Sequence, residues 1–135
     1  GGALSLLSQY GAGVAPVTPG YETYHVLPQM GPLKHIRTTV PSVKGDIEAE
    51  LRNDADTFTI NLVSPEQTTA IVGIPKRPDS SIARIEVNGE TVWADGKPED
   101  HDVSGICFNE ETAHYVTFSV QPGQWGFRAS LSRTE

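Results

Sequence analysis

From Tyr21 onward the chain alternates apolar and polar positions with a period of two. Ile47, Ala49 and Leu51 alternate with Asp46, Glu48 and Glu50, and Phe58, Ile60 and Leu62 alternate with Thr57, Thr59 and Asn61. Ala70, Val72 and Ile74 share one face of a run closed by Pro75. Successive strand side chains point to opposite faces, so each run predicts a strand with one buried face. Ala83, Ile85 and Val87 lead through Asn88-Gly89 into Glu90–Trp93. Both turn residues accept a positive φ, and a type I′ hairpin is expected there. Val116, Phe118 and Val120 lead to Pro122-Gly123, and Trp125, Phe127, Ala129 and Leu131 return on one face. That pattern predicts a second hairpin. Tyr24–Leu27 and Leu33–Val40 bring the count to about eight or nine short strands. No amphipathic helix separates them, which excludes βαβ units. The expected fold is all-β, an antiparallel two-sheet sandwich of jelly-roll-like form. Asp95–Asp102 is the longest loop candidate.

The first residues follow another period. Ala3, Leu6, Leu7 and Tyr10 recur at i, i+3, i+4 and i+7, and Gly11 and Gly13 follow as terminators. This predicts the last turns of an amphipathic helix, uncapped at residue 1. A helix of about ten residues is marginal alone, so its apolar face belongs against a partner. Residues 1–20 are therefore expected to be a helix remnant with a Pro/Gly linker, and residues 21–135 the sandwich.

A length of 135 residues suits one domain with one core. The net charge of −7, with Lys76-Arg77 the sole adjacent basic pair, excludes a nucleic-acid footprint. No apolar run reaches the roughly 18 residues of a membrane span, and Ala3–Val14 lacks the flanks of a signal peptide. A single Cys107 excludes an internal disulfide and leaves the compartment open.

Candidate chemistry is thin. Glu48 and Glu50 approach the roughly 6.5–9.5 Å separation of an inverting glycosidase pair, but clean alternation makes them the solvated face of a strand. Asp95, Glu99, Asp100 and Asp102 could gather oxygen ligands for Ca²⁺, yet Lys97 and Pro98 interrupt them and EF-hand spacing is absent. His25, His35, His101 and His114 have no second His or Cys at ligand spacing, so no metal site is expected. Cys107 and His114 could form a nucleophile and base, but apolar and acidic neighbours favour a buried, inert thiol. Trp93 and Trp125, with Tyr21, Tyr24 and Tyr115, could form a sugar-stacking platform. Trp125 falls in line with Phe127 and reads as core, which leaves Trp93 as the candidate for exposure and sugar contact. Gly11-Ala12-Gly13 is followed by Pro16 and Pro19, not by a helix that could hold a phosphate. No catalytic residue set and no cofactor site emerges.

The order of features resembles a known family. A helix end, then Tyr10-Gly11-Ala12-Gly13-Val14-Ala15-Pro16-Val17-Thr18-Pro19-Gly20-Tyr21, then Val26-Leu27-Pro28-Gln29, is similar to a junction in α-L-rhamnosidases of glycoside hydrolase family 78. There the last helix of an (α/α)6 barrel runs into a C-terminal β-sandwich. Thr39–Ile47, Thr69–Pro75, Val87-Asn88-Gly89 and Gly123–Phe127 resemble later landmarks, with Lys44 standing where the family often has a small residue. The resemblance implies a non-catalytic accessory domain, packed on the barrel of a parent that hydrolyses terminal α-L-rhamnosides with inversion. The family's acid and base sit in the barrel, and no position here matches them. A carbohydrate-binding module using Trp93 is the rival role.

Overall fold

The computed structural model describes residues 11–18, 22–30 and 33–133. The helix expected over Ala3–Tyr10 lies outside them. Alternation becomes strand as expected: β4 (Gly45–Asn53), β5 (Thr57–Ser64) and β6 (Thr69–Pro75) bury the three apolar sets named above. Upstream lie β1 (Val14–Pro16), β2 (Thr23–Val26) and β3 (His35–Ser42). Downstream come β7 (Ser80–Val87), β8 (Glu90–Ala94), β9 (Lys97–Pro98), β10 (Ile106–Glu111), β11 (Tyr115–Val120) and β12 (Gly123–Arg133).

Two sheets result, one ordered β1-β2-β6-β11-β10 and the other β3-β4-β5-β12-β7-β8-β9. Their apolar faces meet in one core, as a two-layer sandwich requires. Pairing is antiparallel throughout except between β2 and β6, which run parallel with Thr23 opposite Thr69 and Val26 opposite Val72. The excursion between these two passes through three strands of the other sheet, so the parallel pair needs no crossover helix.

The Asn88-Gly89 hairpin forms as expected, with φ of 51° and 89°. The second expected hairpin does not. β11 pairs with β6 and β10, whereas β12 pairs with β5 and β7. Pro122-Gly123 carries the chain from one sheet to the other, Gly123 adopting a φ of 138° that favours glycine. Two consecutive strands with inward apolar faces satisfy either arrangement, because alternation records which face is buried and not which neighbour is paired.

That crossing puts aromatic rings in contact through the core. Phe118 on β11 and Phe127 on β12 have centroids 6.0 Å apart, and within the first sheet the exposed Phe108 meets its cross-strand partner Phe118 edge-on at 6.0 Å, both within the favoured range for aromatic pairs. Buried polar groups are linked in a chain. The Tyr24 hydroxyl donates to Ser64 Oγ at 2.7 Å, and Thr68 donates to the Pro65 carbonyl. With the Thr68 proton so used, Ser64 donates to Thr68 across 2.9 Å.

Candidate functional site

Trp93 is the residue whose position departs most from expectation. In β8 the register runs Ile85 opposite Trp93 and Glu86 opposite Thr91, so Val92 is an extra, bulged residue. A bulge interrupts alternation, and here Val92 and Trp93 both turn inward. The expected exposure is therefore corrected: Trp93 is only 4% exposed. Its indole Nε1 is buried and has no hydrogen-bond partner among the described residues. Trp125 is core as expected, and its Nε1 donates to the Gln121 carbonyl at 2.8 Å. Tyr24 is buried and Tyr115 half-buried, its hydroxyl donating to the Pro28 carbonyl at 2.9 Å. Tyr21 lies outside the described residues. The aromatic residues that are described do not form a surface platform.

The start of the expected long loop is structured. Asp95 and Gly96, at φ 54° and 83°, turn the chain so that β9 pairs back on β8, with Pro98 opposite Trp93. Asp95 is thereby separated from Glu99, Asp100 and Asp102 by a strand. Among the described residues no group of three or more His, Cys, Asp or Glu could hold a metal ion.

The carboxylates of β4 do not behave as an acid–base pair. Glu48 is exposed. Glu50 Oε2 lies 2.8 Å from His35 Nε2 and 3.6 Å from an Arg52 guanidinium nitrogen. The hydrogen bond from His35, helped by nearby arginines, holds the Glu50 carboxyl below its usual range. A general acid needs the opposite shift.

Cys107 is exposed, which overturns the expected burial. It belongs to β10, an edge strand, where Ile106 takes the inward position and Cys107 the outward one. Cys107 stands opposite Ser119, while His114 precedes Tyr115 at the far end of the same hairpin. The five residues from Ser119 back to His114 put them on the order of 16 Å apart, too far for a base to reach a thiol. The remaining histidines are also apart. His101 accepts from the Val103 amide, and burial holds the His25 imidazole below its ordinary value.

The hollows of the surface are open. One of about 690 Å³ has Met30, Leu33 and Phe58 in its lining, beside the point where the Gln29 amide donates to the Gly11 carbonyl. Arg77, on its rim, donates to Asn53 and to the Ala55 carbonyl. A second, of about 650 Å³, has Trp93 in its wall.

Relatives bear on this geometry. A family model described as the bacterial alpha-L-rhamnosidase C-terminal domain matches residues 13–88, more than half of the chain. Among solved structures, an alpha-L-rhamnosidase from Dictyoglumus thermophilum superposes with a TM-score of 0.71 and 20% identity over 89% of this chain. The Streptomyces avermitilis alpha-L-rhamnosidase complexed with L-rhamnose gives 0.68 and 22% over 91%. At these identities the likeness concerns the fold. This chain spans 12% and 10% of those chains respectively. No curated protein sequence matches significantly. The sandwich, with the sequence of its first half matching that model, belongs to the bacterial alpha-L-rhamnosidase C-terminal domain family.

Proposed function

We propose that this domain is the non-catalytic accessory part of a larger α-L-rhamnosidase. It packs on the catalytic (α/α)6 barrel of the same chain and supports it while the barrel hydrolyses terminal α-L-rhamnosides. The observation that carries this reading is the match over residues 13–88 to a C-terminal domain family, in a chain spanning only 10–12% of the solved rhamnosidases. The electrostatics agree. Glu50 is held ionised by His35, and Cys107 and His114 sit at opposite ends of one hairpin. Stacking of a sugar on Trp93 would require a ring face that its burial removes.

Two measurements test the proposal. The isolated 135-residue chain is expected to release no chromophore from an aryl α-L-rhamnoside. The parent enzyme without this domain is expected to lose activity faster on heating, with its KM at low temperature little changed. Turnover by the isolated chain would overturn the proposal, as would deletion with no effect on thermal inactivation.

A further inference from the structure

A buried N–H without an acceptor is costly and uncommon in folded proteins, because it has given up water and gained nothing. Trp93 Nε1 is such a group. Trp93 is among the residues that line the groove of about 650 Å³, a size within the roughly 300–1,000 Å³ of small-molecule sites. Two bulges flank the place. One is at Val92 on β8. The other is at Ala83 on β7, where Arg84 stands opposite Ser130 and Ile82 opposite Leu131. Bulges re-aim side chains at sheet edges and beside binding sites.

The chemistry of the lining narrows the ligand. Lys76 and Arg77 bring two positive charges, and Asp95 and Glu111 two negative ones, so the groove has no net preference for an ion. Lys76 Nζ already lies 2.7 Å from Glu111 Oε2. Ser80 and Ser81 add hydroxyls, and Ile82, Ala83 and Trp93 add apolar residues. Donors and acceptors alternating beside apolar surface suit a molecule whose own groups both donate and accept, which is the property of hydroxyls. The rim has open space beside it. A Cβ built on Gly96, in the positive-φ turn beside Asp95, would meet nothing within 4 Å.

We propose that this groove binds a neutral polyhydroxylated ligand, a sugar residue or sugar alcohol, with one ligand hydroxyl oxygen accepting the hydrogen bond from Trp93 Nε1. Ligand entry draws back the Asp95-Gly96 turn. Recognition is through the edge of the indole, not its face. This role stands apart from support of a barrel, and its failure would leave that support untouched.

The chain has two tryptophans, so its ¹H–¹⁵N spectrum carries two indole signals, assigned with Trp93→Phe. Titration with L-rhamnose, D-glucose and sorbitol is expected to move the Trp93 signal saturably with at least one of them. The Trp125 signal, already bonded to Gln121, is expected to stay in place. Ala83→Tyr, which fills the groove from an exposed position, is expected to abolish the shift while leaving both indole signals dispersed. The proposal is overturned if the Trp93 signal stays still with all three probes. It is equally overturned if both signals drift together without saturation, or if the shift survives Ala83→Tyr.

Discussion

Trp93 and Trp125 are chemically identical side chains in the same core, and among the described residues only Trp125 has its N–H satisfied. Replacing each by Phe removes a similar volume, so the difference between the variants isolates the hydrogen bond. Trp125→Phe gives up a net-favourable bond, whereas Trp93→Phe removes an unsatisfied donor. Trp125→Phe is expected to be the more destabilising by about 2 kcal/mol in urea unfolding; equal losses would mean that Trp93 Nε1 is satisfied in solution. Tyr24 makes a second residue-scale prediction. Burial pushes its hydroxyl up to about 12 from 10.0, against the smaller opposing effect of its bond to Ser64. The unfolded chain therefore loses this proton first, and between pH 10 and 12 the folded state holds more protons. Stability is fully present below pH 10 and falls on the order of 2 kcal/mol as pH rises to 12. Alkaline unfolding of wild type and Tyr24→Phe checks this, the variant lacking that part of the slope. Tyr24 was legible in the sequence as the start of a strand, but the chain of hydroxyls it joins was not. Ser64 and Thr68 lie 40 and 44 positions downstream, and no local pattern links them.

Individual strands were legible where alternation ran unbroken, as in β4 and β5. It failed at bulges. One extra residue at Val92 reversed the face of Trp93, and nothing in Glu90–Trp93 announces it, since Val and Trp are acceptable on either side of a strand. The exposure of Cys107 was hidden for a related reason. β10 is an edge strand, and outward apolar positions there need no cover. Turn chemistry was a surer guide. Asn88 accepts the positive φ of its hairpin and also clamps β12, its Oδ1 accepting from the Gly126 amide at 2.8 Å. Asn88→Ala loses both functions and is expected to cost about 1–2 kcal/mol. Asn88→Gly keeps the backbone freedom and is expected to cost less. Should the two variants unfold at the same urea concentration, the clamp and not the turn would be the dominant contribution.

The architecture of two packed sheets could be read from the count and polarity of the strands, but their connections could not. Pro122-Gly123 has the composition of a hairpin turn and serves instead as the passage between sheets. The outcome depends on which partners β12 finds, and these are β5 and β7, many residues earlier. Ending the chain at Val120 is therefore expected to abolish cooperative unfolding and the dispersed NMR spectrum. Circular dichroism and a thermal scan would show it, and a truncated chain that still melted sharply would contradict the pairing.

The placement of β12 has a consequence for synthesis. Emerging from a ribosome, the chain can assemble β3–β5 and β7–β9 as separate meanders. The gap between them stays open until β12 clears the tunnel. Until then β5 and β7 present unpaired edges able to recruit strands from other chains. The domain's vulnerable interval thus lasts until β12 has emerged. Codons or chaperones acting there would govern its yield more than any change to the finished surface.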